Sequence, residues 1–397
     1  MTGLTCSKMN AYRRRYMSSE KLHVQTQLTN WLLRRTTTGG VRRVAPLAAA
    51  IASETGNVRV DNQDRAVIAR GRDRNGRDYA VVAVADGIGG MRDGAACASL
   101  AIGALIAALD QQAQRQDVDG DQWIRKAVFA ADAAVYAQSR GNGGSTLVAL
   151  VIRPGFSAHW ISVGDSRVYG ANGKSLVQMS VDDTIAGQLG KNLEGVAEQS
   201  KLLQFIGMGS ELDPHIVELG HGAADAVLLT TDGVHYLSST PNWLGQIVSN
   251  APDPGACVKR LVELAKWCGG PDNATVAMIS LSANWEPDNR PSYLCLEVWD
   301  AFGELQILQG YPSYSELRDM ARKRNDNRAA VVPHPDADGS QLDVNQISAV
   351  DEEIVKNQTP KTPRKSKGSS RKRNKSSPEN HEEEAPQLSM KFPTKSV

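Results

Sequence analysis

Apolar residues come in short blocks along this chain. Tyr79–Ala85 (YAVVAVA) is an unbroken run of seven, the texture of a strand covered on both faces, and a glycine cluster ends it. Ser145–Ile152, His159–Val163, Arg167–Tyr169, Ala226–Thr230 and Ala274–Ser280 are further strand candidates. Helical spacing stands between them. Gly94–Leu109 is dominated by Ala, Gly, Leu and Ile, which predicts a closely packing helix, and Asp121–Ser139 carries its apolar residues on one side. Gly255–Cys268 places Val258, Leu261, Leu264, Ala265 and Cys268 three or four residues apart and stops at Gly269–Gly270. Strands outnumber helices, their links are mostly hairpin-like, and the long helices come in pairs. Antiparallel sheets covered by helices fit this order better than a doubly wound parallel sheet.

The flanks read differently. Basic clusters at Arg13–Arg15, Arg34–Arg35 and Arg42–Arg43 mark residues 1–45 as a basic N-terminal extension, with one short helix around Leu28–Leu33. Tyr293–Trp299 and Glu304–Leu308 bracket Asp300–Gly303 as a hairpin, with a short helix at Ser313–Arg324, so 286–325 reads as a small appended element. Residues 326–397 are rich in Asp, Asn, Pro, Ser and Lys with few aromatics, the composition of a disordered tail. The main domain is therefore expected at 46–285.

Composition narrows the class. With 397 residues, 41% hydrophobic and 22% charged, the chain is neither collagen-like, coiled-coil nor wholly disordered. Its longest apolar stretch, Ala95–Leu109, falls short of the roughly 20 residues a membrane helix needs, so no span is expected. A net charge of +1 conceals +8 in residues 1–45, +9 in 356–375, −2 in 376–397 and −14 in the body. An acidic body with basic ends suits a cation-binding or catalytic core with solvated tails. Lys356–Lys375 holds no aromatic residue for base stacking; besides a plain solvated tail, it allows a weak, salt-sensitive contact with nucleic acid or another anionic surface. Five scattered cysteines without a C-x-x-C pair suggest neither disulfides nor thiolate zinc. With no apolar block after Arg13–Arg15 to make a secretory signal, a cytoplasmic setting is expected.

Three acidic signals sit at strand ends: Asp86 after Val84-Ala85, Asp232 after Leu228–Thr231, and Asp272 just before Ala274. Asp-Gly after a strand is by itself an ordinary turn. Three of these carboxylates meeting at one sheet end would repel, and a hard divalent cation held by oxygen ligands is the usual solution. A fourth segment, Asn57–Arg65, places Arg59 between Val58 and Val60, as on a strand whose end carries Asp64. An arginine there suits a planar fork on phosphate oxygens.

Taken in order, seven motifs resemble the metal-dependent protein phosphatases (PPM family, type 2C serine/threonine phosphatases) of bacterial type. They are R-x-x-N-[EQ]-D at Arg59–Asp64, A-D-G-x-G-G at Ala85–Gly90, G-G-S-T at Gly143–Thr146, V-G-D-S-R at Val163–Arg167, D-D-T at Asp182–Thr184, T-D-G at Thr231–Gly233 and D-N-A-T at Asp272–Thr275. The resemblance implies an α+β fold, a four-layer αββα sandwich of two antiparallel sheets flanked by helix pairs, with basic, largely disordered tails. It also implies two Mg²⁺ or Mn²⁺ ions. Asp86 would bridge them and the Gly87 carbonyl would contact one. Asp232 and Asp272 would complete the shell of the other, while Asp64 and Gln63 would act through water. Asp165 would help hold a third, weaker ion, and Arg59 would grip the substrate phosphate. Two ions bring +4 against −3 from three carboxylates, which favours deprotonating a bridging water as the nucleophile. Phosphoserine and phosphothreonine on proteins are the implied substrates, and a Ser/Thr kinase the opposing partner.

Two positions depart from the family. Gln63 stands where Glu is common, which predicts weaker affinity at one ion. Ile88 stands where some, chiefly eukaryotic, relatives place a general-acid His. No G-x-x-x-x-G-K-[ST] loop exists, so a P-loop nucleotidase is disfavoured. The alternative to an enzyme is a catalytically weak, phosphatase-like module that binds phosphoproteins or signalling partners.

Overall fold

A computed structural model describes residues 23–308 apart from 89–90, 92, 115–119, 154–157, 174, 190–200, 237–241 and 287–293. The predicted helix at Ser313–Arg324, the tail 326–397 and the first 22 residues of the basic N-terminal segment lie outside the described residues. Two antiparallel sheets stack face to face. One runs β1 (Gly39–Val44), β2 (Ala49–Glu54), β11 (Ala274–Ser280), β10 (Ala226–Thr230), β7 (Arg167–Asn172), β8 (Ser175–Gln178). The other runs β13 (Glu304–Leu308), β12 (Leu294–Trp299), β3 (Arg65–Arg72), β4 (Asp78–Ala85), β5 (Leu147–Ile152), β6 (Ala158–Val163), β9 (His215–Leu219). Helices α2 (Gly94–Ala113) and α3 (Gly120–Ser139) cover the second sheet, and α6 (Asn242–Ser249) and α7 (Pro254–Trp267) the first. The expected four-layer α+β sandwich is what the structure has.

Three apolar layers hold the four together. Ile51, Ile68, Val82, Leu150, Leu229 and Ile279 fill the space between the sheets. Val67, Val81, Ala83, Leu105, Ile124 and Leu147 join the second sheet to α2 and α3. Ala52, Leu228, Val258, Leu261 and Val276 join the first sheet to α7. Strands buried on both faces must be apolar at every position, which is why β4 reads as a run without alternation. The full length of α2 is great enough, and apolar enough, to cross a bilayer, yet 83% of that stretch is buried inside the protein. Its small residues let it lie close against its neighbours, making it a core helix.

Two segments that the sequence set outside the domain join it. A helix at 23–32, α1, buries Leu28 and Leu32 beside Val298 and Ile307 of the hairpin. Arg34 then donates to the Asp300 carboxylate at 2.8 Å. Strand β1 pairs with β2 along its length, and β12 pairs with β3 from Leu296 opposite Gly71 to Trp299 opposite Ile68. Boundaries at 45 and 286 therefore cut through the sandwich. Each sheet would otherwise end on a strand edge with open backbone donors and acceptors, and these flanking strands take up those edges. The helix and the hairpin were expected as local elements, but which sheet edge or core each joins depends on partners distant in the chain, and the arginines at 34, 35, 42 and 43 masked β1.

Candidate active site

The site sits at one end of the sandwich, where β4 stops at Ala85 and β10 at Thr230. Asp86 follows β4 directly, and its turn is pinned on both sides. Its N–H donates to Thr146 Oγ1 at 2.9 Å, while its carbonyl accepts from the Thr146 N–H and the Ser145 hydroxyl, each at 2.8 Å. Thr146 Oγ1 is also 2.7 Å from Ser166 Oγ. The G-G-S-T and V-G-D-S-R segments therefore brace the Asp86 loop, a role that motif order alone did not assign. Gly87 lies so close to Gly94 that an added Cβ would stand 2.3 Å from the Gly94 backbone, so no side chain fits there.

Asp232 opens the single turn of α5 (Asp232–His235). Behind it, Gly233 runs against Asn273, whose carbonyl oxygen an added Cβ would meet at 1.9 Å. Asn273 is the clamp of the region. Its Nδ2 donates to the carbonyls of Thr55 and Asp61 at 2.9 and 3.1 Å, and its Oδ1 accepts from the Gln63 N–H at 2.8 Å. These bonds lock residues 55–63 into an irregular loop. Arg59 is thus not on a strand, as its valine neighbours suggested: β2 ends at Glu54, Gly56 turns the chain at φ +84°, and Val58 and Val60 point into water. Asp64 correspondingly stands just before β3 rather than at a strand's end. Asn62 holds that corner by accepting from the Asp64 N–H at 3.0 Å and donating to Ser53 Oγ at 2.9 Å.

A cavity of about 150 Å³ gathers the predicted residues. Arg59, Gln63, Asp86, Gly87, Asp165, Asp232 and Asp272 all line it, joined by Ile88, Thr146, Leu202 and Asn273. Asp64 lies behind this wall, buried, accepting from Thr231 Oγ1 at 2.9 Å through Oδ2. Arg65 secures its backbone, donating to the carbonyls of Leu32, Asn62 and Asp64 at 2.6–2.8 Å and to Ser99 Oγ at 3.1 Å. Through Leu32 this guanidinium also links the site to the end of α1.

Five carboxylates in one place disturb each other. Burial, then the charges of Asp64, Asp232, Asp165 and Asp272, push the Asp86 carboxyl well above its ordinary range. Burial raises Asp64 to about 7, with Asp232 and Asp272 adding to the rise, and raises Asp165 to about 7, with Asp232 adding to it. Asp232 rises through burial and the Asp272 charge, partly offset by hydrogen bonds with the Gly233 N–H and Asp86. Asp272 is turned toward Arg59, whose Nη2 donates to its Oδ2 at 2.7 Å, and it is the main cause of the raised guanidinium pKa. Among the described residues no three His, Cys, Asp or Glu side chains form a closed chelate. The residues nevertheless suit hard cations. Asp64 Oδ1 and Asp232 Oδ1 are buried without a hydrogen-bond partner, and every acidic or amide donor on the wall is oxygen-based. Such a set favours Mg²⁺ or Mn²⁺ over softer metals.

Among the described residues, no cysteine or histidine lines the cavity. Cys97 is buried in α2, and His235 is buried against Thr230 Oγ1 at 3.0 Å. The D-D-T segment is structural in its first two members: Asp182 pairs with Arg167, while Asp183 accepts from the Gly164 N–H at 3.0 Å and steadies the loop that carries Asp165.

Known proteins resemble this chain in sequence and in fold. A family model described as protein phosphatase 2C matches residues 59–266, just over half of the chain. The serine/threonine protein phosphatase PstP of Mycobacterium tuberculosis is 30% identical over 245 residues, which are 58% of this chain and 44% of PstP. The chain thus spans less than half the length of that relative. Protein phosphatase PhpP of Streptococcus pneumoniae is 25% identical over 59% of this chain and 97% of its own. Among solved structures, the serine/threonine phosphatase Stp1 of Staphylococcus aureus superposes with a TM-score of 0.51 at 18% identity, over 63% of this chain and 99% of that one.

Proposed function

The chain belongs to the protein phosphatase 2C family, and on that premise we propose that it hydrolyses phosphoserine and phosphothreonine on proteins using two divalent cations. The observation that carries this reading is one cavity in which four carboxylates, with Asp64 behind them, face a single guanidinium. Asp86, Asp232 and Asp272, with the Gly87 carbonyl, would hold the two ions. Asp165 would take part in a third position, and Asp64 and Gln63 would orient bound water. Magnesium or manganese supplies the charge that lowers a water's pKa and polarises phosphoryl oxygens.

The protein's own part is placement. Thr146 and Ser145 fix the Asp86 loop, and Asn273 fixes the loop that carries Arg59. Arg59, partly exposed at the cavity mouth, is the one cation on its wall among the described residues, positioned to meet two phosphate oxygens as a fork. Its present partner is Asp272, so phosphate would replace one anion on the guanidinium by another. With neither cysteine nor histidine among the described residues of the wall, no protein nucleophile is required, and attack by water rather than a covalent enzyme intermediate is the reading. With Ile88 where a general acid could stand, no side chain of the wall protonates the leaving oxygen as an imidazolium would. A Ser/Thr kinase is the expected opposing activity.

The test is metal-dependent turnover of p-nitrophenyl phosphate and of phosphothreonine against phosphotyrosine peptides. Hydrolysis should require Mn²⁺ or Mg²⁺, favour phosphothreonine, and fall at least about 10²–10³-fold in Asp86→Ala or Asp232→Ala. Full activity in chelator, or in either variant, would exclude the mechanism. Retained phosphopeptide binding without turnover would favour the binding-module alternative.

A further inference from the structure

Helix α1 ends against two arginines that take up its last carbonyls. Arg34 Nη1 donates to the Trp31 carbonyl at 2.8 Å, and Arg65 Nε donates to the Leu32 carbonyl at 2.7 Å. Cations are favoured at that end of a helix, where unpaired carbonyls concentrate negative charge. Each guanidinium then reaches a second element. Arg34 forms a two-point pair with the Asp300 carboxylate, both contacts at 2.8 Å, and Asp300 Oδ1 also accepts from the Phe302 and Gly303 N–H groups, which shapes the β12–β13 turn. Arg65 Nη1 donates to the Asn62 and Asp64 carbonyls at 2.8 and 2.6 Å, and its Nε is shared with Ser99 Oγ of α2 at 3.1 Å. Both α1 and the hairpin lie outside residues 59–266, the stretch that the family model matches.

The corner at 62–64 is not backed by close packing. A void of about 20 Å³, room for a single water, lies beside it, lined by Leu32, Asn62, Asp64, Arg65, Asp300 and Phe302 among others. Asp64 lines this void rather than the 150 Å³ cavity. Hydrogen bonds with Asn62, Thr231 and Arg65 are therefore what fix the corner on that side. Three main-chain carbonyls converging on one point offer acceptors only. A guanidinium serves all three from one plane, which the single ammonium of a lysine does not. Burial lowers the Arg65 pKa, and the charges of Asp64 and Asp300 partly offset that cost, so the corner and the turn both favour the cation between them.

We propose that Arg65 is a positioning residue of the cation site, which transmits the docking of α1 and of the Asp300 turn to Asp64 and Gln63, so that divalent-cation affinity depends on α1 being seated. The proposal rests on the two-cation reading above and names what sets the affinity of that site. Residues that orient a ligand from outside the coordination shell act in this way, by holding a donor in one place before the ion arrives. The seat of α1 is itself remote from the cavity. Helix α1 crosses α2 at Gly103, where an added Cβ would stand 2.6 Å from Thr29 Oγ1 and 3.3 Å from the Gln25 carbonyl oxygen. A side chain there lifts α1 without touching the acidic residues, and the site loosens at a distance.

The experiment uses the full chain, freed of metal by chelator, with Mn²⁺ alone as the probe in calorimetric titration and p-nitrophenyl phosphate turnover as a second measurement. Arg65→Lys keeps the charge without the fork and should weaken Mn²⁺ binding at least about tenfold. The Mn²⁺ concentration for half-maximal turnover should rise with it, while kcat at saturating Mn²⁺ stays within about twofold. Gly103→Val should weaken binding by a similar factor. Because both act through one link, the double variant should bind within about twofold of the weaker single variant, whereas independent effects would multiply. Leu219→Ala controls for lost stability: it empties a buried position opposite Ala158, at the other end of β6 from Val163, and should bind Mn²⁺ as wild type does. Should either single variant fail to fold, Arg34→Gln, which cuts the Asp300 pair at a partly exposed residue, takes its place with an expected loss of at least about threefold. Wild-type affinity in these variants, multiplied losses in the double variant, or an equal loss in Leu219→Ala would overturn the proposal. Wild type that binds no Mn²⁺ would instead sink the two-cation reading, and wild type that binds Mn²⁺ without turnover would sink the phosphatase reading alone.

Discussion

Stripping divalent cations should make this protein less stable as the pH rises, the reverse of ordinary acid denaturation. Burial holds the Asp64 carboxyl at about 7 in the folded chain, against an ordinary value of 3.8. Between those values the folded state keeps a proton that the unfolded state has lost. The resulting stability is full below the unfolded value and disappears as pH climbs to the folded one. From pH 5 to about 7 is two units at about 1.4 kcal/mol each, so Asp64 alone accounts for about 3 kcal/mol. For a domain of this size, at roughly 2 °C per kcal/mol, the fall in Tm is about 6 °C. Asp165, also raised to about 7 by burial, acts in the same direction. His235 opposes both. Burial holds its imidazole well below the usual range, so it favours folding above about pH 6.5 and loses that contribution toward acid. The informative quantity is therefore the Tm of Asp64→Asn minus that of wild type, in which His235 cancels. Measured by circular dichroism melts in chelator, this difference should grow by about 6 °C between pH 5 and pH 8. Saturating Mn²⁺ should then raise wild type at pH 8 more than the variant, because the ions bind only the folded state. A difference that stays flat across this range would refute the reasoning.

Other changes test other parts of the site. Gln63→Glu adds a full negative charge to the cavity wall and should tighten Mn²⁺ binding about tenfold, equivalent to about 1.4 kcal/mol, by calorimetric titration; unchanged affinity would contradict it. Thr146→Val leaves the Asp86 N–H and Ser166 Oγ without their buried partner and should cost about 1–3 kcal/mol in denaturant unfolding, with activity reduced through the misplaced loop. Gly233→Ala drives a methyl into the Asn273 carbonyl; the expected result is an insoluble or strongly destabilised chain, and wild-type expression and melting would show that the backbone yields there.

Much of the fold was legible because four layers bury both faces of the inner strands. That makes β4, β5 and β10 apolar at nearly every position, and a run of apolar residues bounded by glycine is visible without an alignment. Strand β3 was less visible because it carries Arg70 in its interior, acceptable only because Asp78 on the next strand pairs with it. The candidate site was legible as a set of acidic turns in family order, since Asp64, Asp86, Asp232 and Asp272 each stand within two residues of a strand end. Its supporting residues were not. Asn273, Thr231, Ser166 and Asn62 are ordinary turn residues by type, and their importance lies in which distant backbone groups they meet.

By itself, then, the order of residues determined the strand and helix content, the clustering of charge and the acidic groups available for chemistry, because these depend on periodicity and side-chain type over a few neighbours. Only the tertiary structure decided that Arg59 rides an exposed loop tied to α7, that Asp64 stands behind the cavity rather than in it, and that α1, β1 and the β12–β13 hairpin complete the sandwich. Those outcomes depend on hydrogen bonds and edge pairings between residues up to 266 positions apart, and local pattern holds no record of which distant partner closes a given edge or loop.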